Sequence, residues 1–252
     1  MYKDLELKGK VAIVTGASKG IGAGIAMELA KAGASIVINY ASNKADAEKI
    51  AGQIKETGNE PLIIQADVSQ KKEVEAMFDT AYKHFGRIDI LVNNAGVFAY
   101  PLIEDATEEA FHSMFNINVL GPLLTIQQAV KYMKENGGSI INISSMAARK
   151  TVHGASIYGA SKAALNEITK VTAQELGHKN IRVNSILPGY VDTEGARAGG
   201  EAADEWGKQL VAATPLGRKG LPVDIGKITV FLASDLSYWI TGESIAASGG
   251  LI

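Results

Sequence analysis

Seven short apolar runs recur along the 252-residue chain: VAIVT at 11–15, SIVINY at 35–40, PLIIQA at 61–66, IDILVN at 88–93, SIINIS at 139–144, IRVNSIL at 181–187 and ESIAAS at 243–248. Each is too short for a helix, and most are rich in Ile and Val without clean alternation, as strands covered on both faces are. Longer segments with helical spacing lie between them, among them 21–32, 44–57, 71–85, 111–135 and 157–178. Alternating strands and helices imply right-handed crossovers and a parallel sheet with helices on both faces. That sheet is either open and doubly wound or closed into an eight-stranded barrel. A count of about seven strands favours the open form.

Such a chain is near the upper length that one core supports, and no Pro/Gly/Ser-rich linker divides it, so residues 1–252 are expected to form a single domain. Hydrophobic residues make up 46% and charged residues 21%, ordinary globular values. The 25 basic and 27 acidic residues leave a net charge of −2, with no basic tract dense enough to track phosphates, so no nucleic-acid partner is expected. Absence of cysteine removes disulfides and thiolate chemistry and suits a cytoplasmic address. The opening MYKDLELKGK lacks the apolar centre of a secretory signal, and no run approaches the roughly 18 residues of a membrane span, so no membrane partner is expected. Four histidines, His84, His112, His153 and His178, are too scattered for a metal site. Asn142-Ile143-Ser144 fits a glycosylation sequon, but it lies inside a strand-like run and is read as chance.

After the first strand stands T-G-x-x-x-G-x-G, Thr15 to Gly22, holding Gly16, Ser18, Lys19, Gly20, Ile21 and Gly22. A strand entering a glycine turn that opens a helix gathers free N–H groups at the positive end of a helix dipole, where anions bind. Neither the G-x-G-x-x-G fingerprint nor the phosphate-loop lysine pattern is present.

Thr15 to Gly22, Asn93-Asn94-Ala95-Gly96, Tyr158-x-x-x-Lys162 and Pro188-Gly189, in this order, resemble the short-chain dehydrogenase/reductase family, from about Lys10 to Gly249-Gly250. The resemblance implies a Rossmann-like α/β sheet, a nicotinamide dinucleotide across the strand ends, and hydride transfer between it and a carbonyl or alcohol carbon. It extends to 3-oxoacyl-carrier-protein reductases, carbonyl reductases and glucose 1-dehydrogenases. Assembly as a homotetramer through the long central helices and the C-terminal segment is implied as well.

Tyr158 and Lys162, four apart in a helical segment, project from one face. A phenol ionises near pH ~10. A neighbouring ammonium favours the phenolate, as does a nicotinamide cation, so Tyr158 is expected to exchange a proton with the substrate oxygen. By resemblance, Lys162 also bonds the nicotinamide ribose, and a serine at the end of the fifth strand stabilises the substrate oxygen. Ser144 and Ser145 are neighbours whose side chains point to opposite strand faces, and the distance to Tyr158 selects Ser145. Asn118, in FNINVLGP, resembles the asparagine whose carbonyl holds a proton-relay water, with Asn116 as the nearby alternative.

The resemblance also places Ser42, Asp67, Val68, Ala95, Gly96, Pro188, Gly189, Val191 and Thr193 against the cofactor. Asn93 is expected to line its centre, and Asn94 either joins it or stabilises the sheet. The second strand ends without an acid until Asp46, Lys19 adds a positive charge, and Ser42 or Asn43 offers neutral bonds. This reading selects NADP(H) over NAD(H).

The polar segment 189–214 is either a lid over the substrate or a surface helical excursion. Phe98, Met146, Ala147, His153, Tyr190 and Trp206 are expected to line a mostly apolar pocket for a small carbonyl or alcohol. Two positions where carrier-protein reductases keep basic docking residues appear here as Asn136 and Lys179, a half-match. A sugar dehydrogenase and a non-catalytic dinucleotide-binding regulator remain the other readings.

Overall fold

The computed structural model of the protein describes residues 6–133, 137–198 and 200–251, with the backbone alone for 200–204. Seven strands, β1 (Val11–Val14), β2 (Ser35–Tyr40), β3 (Leu62–Gln65), β4 (Ile90–Asn93), β5 (Gly138–Ile143), β6 (Ile181–Pro188) and β7 (Ser244–Ala247), form one sheet in the order β3-β2-β1-β4-β5-β6-β7. Every pairing is parallel. The sheet is therefore open and doubly wound, and all seven apolar runs are strands. Between β1 and β4 the winding direction reverses, opening a crevice at the carboxyl ends of the strands.

Alternation along β1 explains why its run is continuously apolar. Ala12 and Val14 face one buried layer, where Ile25, Leu29 and Ile225 pack, whereas Val11 and Ile13 face the other, with Phe78, Met77 and Ile126. The first layer carries α1 (Gly20–Lys31), α2 (Lys44–Lys55) and, from the far end of the chain, a helix over Pro222–Ala233. The second carries α3 (Lys71–Phe85) and parts of the central helices.

The segment expected as one helix over 111–135 is instead α4 (Glu108–Phe115), a π-helical turn (Asn116–Leu120) and α5 (Gly121–Met133); its last two residues lie outside the described ones. Two residues account for the break. Pro122 has no N–H to offer the carbonyl four residues earlier, that of Asn118. Gly121 packs so tightly that a Cβ there would stand 2.9 Å from Val68 Cγ2. Such π turns concentrate at functional sites.

The second central helix is α6 (Ser156–Leu176). Within 189–214 lie α7 (Glu194–Arg197) and α8 (Gly200–Ala212), and α9 (Pro222–Ala233) follows. Asn142, of the sequon, is fully buried.

Asn39, buried near the end of β2, ties the crevice together. Its Oδ1 accepts from Gly16 N at 3.1 Å, and its Nδ2 donates to Ala66 O at 2.9 Å. One amide thus links the first turn to the ends of β2 and β3. Replacement by leucine leaves a buried donor and a buried acceptor unpaired, at ~1–3 kcal/mol each. Thermal unfolding of Asn39→Leu is expected to fall by on the order of 5 °C, and an unchanged Tm would remove this account.

Candidate active site

The glycine turn after β1 is held from across the crevice. Thr15 Oγ1 accepts from Asn94 N and Ala95 N, each at 3.0 Å, while Asn94 Nδ2 donates to Thr15 O at 2.9 Å and Gly16 O at 3.1 Å. Gly16 and Gly20 have φ of +61° and +56°, a backbone that favours glycine. At Gly22 a Cβ would lie 2.4 Å from Asn94 Nδ2, so only glycine lets α1 start this close to the brace. Asn94 therefore stabilises the sheet and also lines the cleft.

Most of the expected cofactor residues line one cleft along the strand ends: Gly16, Ser18, Lys19, Gly20, Ile21 and Gly22 from the turn, and Ser42, Asp67 and Val68 after β2 and β3. Ala95 and Gly96 follow β4, and Tyr158, Lys162 and Thr193 close the far end. Asp67 also shapes its own turn, its Oδ1 accepting from Ser69 N and Oγ. Pro188, Gly189 and Val191 are not brought to this lining. Pro188 ends β6, Gly189 is packed against Ser248, and Val191 is buried in a bridge to Gly220. Asn93 departs from its expected place too. It is buried in the sheet, donating to Asn142 Oδ1 at 2.9 Å and accepting from Thr125 Oγ1 at 2.6 Å.

Tyr158 and Lys162 project from the first turns of α6 into the inner end of this cleft. Lys162 is only 5% exposed, and its Nζ donates to Ile143 O at the end of β5, at 2.8 Å. The same Nζ lies 5.9 Å from the centre of the Tyr158 ring. Burial lowers the lysine to about 8 from its ordinary 10.5. For Tyr158 burial raises the phenol above its ordinary value, and a hydrogen bond with Ser145 acts the other way. The expected ammonium-depressed phenol is thus not found in the protein alone, because desolvation favours the neutral form of both groups.

The two serines differ in their surroundings, and of the pair Ser144 is the one in the cleft lining. Ser144 Oγ is buried and donates to Lys162 O at 3.1 Å, whereas Ser145 Oγ accepts from Ala147 N at 3.1 Å. Asn118, inside the π turn, is fully buried: its Oδ1 accepts from Val97 N, and its Nδ2 donates to Val97 O and Ser161 Oγ. Asn116 is exposed. Gly96 stands where Asn118 and Lys162 converge, and a Cβ there would lie 3.2 Å from Asn118 Oδ1 and 3.4 Å from Lys162 Nζ.

Two features escaped sequence reasoning. Tyr100 packs edge-on against Tyr158, with ring centres 5.8 Å apart, yet lies outside every motif. Glu194, in α7, accepts from Gly20 N at 3.1 Å, so a carboxylate sits at the amino end of α1. An acid directly after Thr193 was a readable signal, though only the fold brings it to the turn. Among the described residues no three His, Cys, Asp or Glu side chains gather as a metal site.

A glycine cradle, a helix amino end and a cleft running from Ser42 to Tyr158 fit a nicotinamide dinucleotide. Glu194 opposes its phosphates. Glu194→Gln is expected to tighten dinucleotide binding about two- to fivefold, more at low salt, by calorimetric titration; an affinity independent of this substitution would refute the role.

Lysine burial sets a second expectation. The folded pKa lies below the unfolded one, so from about 8 to 10.5 the unfolded chain holds more protons and this group makes stability rise with pH. Denaturant unfolding is expected to show wild type gaining on Lys162→Met across that window, by about 3 kcal/mol in total. Parallel pH profiles would contradict it.

Comparison with known proteins agrees with this architecture. A family model described as enoyl-(acyl carrier protein) reductase matches residues 16–252. An uncharacterized oxidoreductase of Methylorubrum extorquens is 50% identical over 246 residues, covering 98% of this chain and 99% of its own. The hydroxynaphthalene reductase-like protein Arp2 of Metarhizium robertsii is 40% identical over 257 residues, covering 98% and 96%. Among solved structures, a short-chain dehydrogenase/reductase from Serratia marcescens superimposes with a TM-score of 0.91 at 38% identity, covering 97% of this chain and 98% of that one. A 7α-hydroxysteroid dehydrogenase, solved with NADH and 7-oxo glycochenodeoxycholic acid, gives 0.94 at 35% identity, covering 99% and 97%. Likeness of this extent, over nearly the whole chain in sequence and in fold, means that the protein belongs to the short-chain dehydrogenase/reductase family.

Proposed function

We propose that the protein is an NADP(H)-dependent oxidoreductase that interconverts a ketone or aldehyde and an alcohol, with Tyr158 as general acid and base. The observation that carries this reading is Tyr158 with buried Lys162 one helical turn on, its Nζ 5.9 Å from the centre of the phenol ring, at the inner end of the cleft. When bound there, the nicotinamide supplies hydride to the carbonyl carbon or takes it from the alcohol carbon. Ser145 holds the substrate oxygen beside the phenol, and Tyr158, kept protonated by burial, donates its proton to that oxygen. Lys162 adds positive charge beneath the phenol, and Asn118 holds the Val97 backbone and Ser161 around it.

NADP(H) is supported by the exposed Lys19 at the cleft rim and by a second strand that ends in Asn39 and Tyr40 rather than an acid. Asp46, the first acid after the second strand, accepts from Asn43 Nδ2 at 2.7 Å. That bond also engages Asn43, leaving Ser42 as the neutral donor. NAD(H) is the second reading, since the hydroxysteroid dehydrogenase relative was solved with NADH.

The names of two relatives, hydroxynaphthalene reductase-like and 7α-hydroxysteroid dehydrogenase, support a carbonyl or alcohol on a ring. Carrier-protein docking has less support: Lys179 lies in the turn before β6, at the opposite end of the strands from the cleft, and Asn136 lies outside the described residues. A homotetramer belongs to this reading, supported by exposed Phe111, Leu120, Leu123 and Val171 on the central helices. A cytoplasmic address rests on composition, and among the described residues no helix is long and apolar enough to cross a membrane.

A panel of ketones, aldehydes, alcohols and sugars, assayed with NADPH and NADH in parallel, tests the reading. Turnover of a ketone or aldehyde is expected, with higher kcat/KM for NADPH, a gap that Lys19→Ala narrows. Tyr158→Phe is expected to lose at least ~100-fold in kcat while still binding cofactor. Tight cofactor binding without turnover of any compound would point to a regulator.

A further inference from the structure

Tyr158 belongs to a cluster of five aromatic rings, and the catalytic motifs do not require the other four. Tyr100 is their centre, with ring centres 5.9 Å from Phe98, 5.8 Å from Tyr158 and 5.7 Å from Trp206. Phe98 also meets Tyr158 at 6.2 Å, and Trp206 meets Tyr190 at 6.0 Å. The rings come from four places: the loop after β4, α6, the loop after β6, and α8. Rings gathered only to pack on one another would be covered, yet Phe98 is 52% exposed, Tyr100 40% and Trp206 38%.

Two glycines hold this arc in place. At Gly154, with φ of +74°, a Cβ would lie 2.6 Å from Tyr100 O. At Gly207, next to Trp206, it would lie 2.4 Å from the Tyr190 hydroxyl. Gly154 lets its chain close on the Tyr100 backbone and Gly207 lets α8 close on the Tyr190 ring, so the arc exists before any ligand arrives. Lys219 Nζ lies 5.3 Å from the centre of the Tyr190 ring, at the end remote from the phenol.

We propose that Phe98, Tyr100, Trp206 and Tyr190 form a preorganised aromatic wall that selects flat ring ketones, fused aromatic ketones above all, over open-chain ketones of equal size. This rests on the proposed oxidoreductase reading and adds the substrate class. Aromatic faces gain from ring stacking and edge contacts beyond area burial, and a rigid ring loses few internal rotations on binding, whereas an alkyl chain must be ordered. Because the wall is continuous with the Tyr158 ring, a ketone lying on it presents its oxygen at the phenol and Ser145.

The test compares 2-tetralone with 2-decanone, both of ten carbons, by kcat/KM with NADPH and NADH. Wild type is expected to favour 2-tetralone. Tyr100→Leu and Trp206→Leu are expected to lower the tetralone-to-decanone ratio on the order of tenfold, while Tyr100→Phe and Trp206→Phe keep it, which a purely structural role would not produce. A second readout needs no turnover: the chain has two tryptophans, and Trp239, 90% exposed, is replaced by phenylalanine so that Trp206 reports alone. Saturable quenching by 2-tetralol but not by 2-decanol supports the wall. An unchanged ratio in both leucine variants, or equal quenching by the two alcohols, overturns it. Selective quenching without turnover of either ketone would instead defeat the oxidoreductase reading and leave the wall standing.

Discussion

The site depends on a lysine amine drawn out of water and held against the last carbonyl of a central strand. Lys162 Nζ reaches Ile143 O beside Gly96, and Ser144 Oγ donates to the lysine's own carbonyl. A buried amine favours its uncharged form, so the arrangement stores an unfavourable charge that a bound polar ligand can relieve. The sheet makes this possible. Its reversal of winding between β1 and β4 separates the helices over the strand ends, and β5 brings Ile143, Ser144 and Ser145 to the same rim.

Around that amine the chain uses polar groups as braces rather than as chemistry. Thr15 and Asn94 lock the turns after β1 and β4 together, Asn39 does the same for β1, β2 and β3, and Asn93, Asn142 and Thr169 run in a bonded series through the core. Each is buried or nearly so and has found partners, as burial of an amide demands. Their common effect is a rigid rim on which Tyr158 and Ser145 keep their relative position. Precision at the reacting atoms comes from such supporting bonds, since displacement of even an ångström weakens a proton transfer.

Much of this was legible because its signals are local. A strand covered on both faces reads as a continuous apolar run, which is why all seven strands were found, and the four-residue spacing of Tyr158 and Lys162 needs only a helix to bring them together. The π turn was not legible from periodicity, since Phe111 to Met133 keeps a helical pattern through it. Pro122 was the available clue, four residues after Asn118. Asn93 and Asn94 could not be told apart because adjacent strand-end residues differ only in direction, which the packing of Thr125 and Thr15 decides. Tyr100 and Glu194 were invisible for another reason: each acts on a residue far away in sequence, Tyr158 and Gly20.

The two directions of the proposed reaction start from different protonation states of Tyr158. A phenol raised by burial carries its proton at neutral pH, so the resting side chain is already the acid that carbonyl reduction requires. Oxidation would start from the opposite state and need the phenolate, which burial disfavours and which positive charge nearby, such as the Lys162 ammonium, would stabilise. A cationic ring placed over the cleft would add to that charge, and only the oxidised cofactor carries one. The same residues can therefore run both ways, with reduction drawing on the protein's own proton and oxidation depending on positive charge beside the phenol.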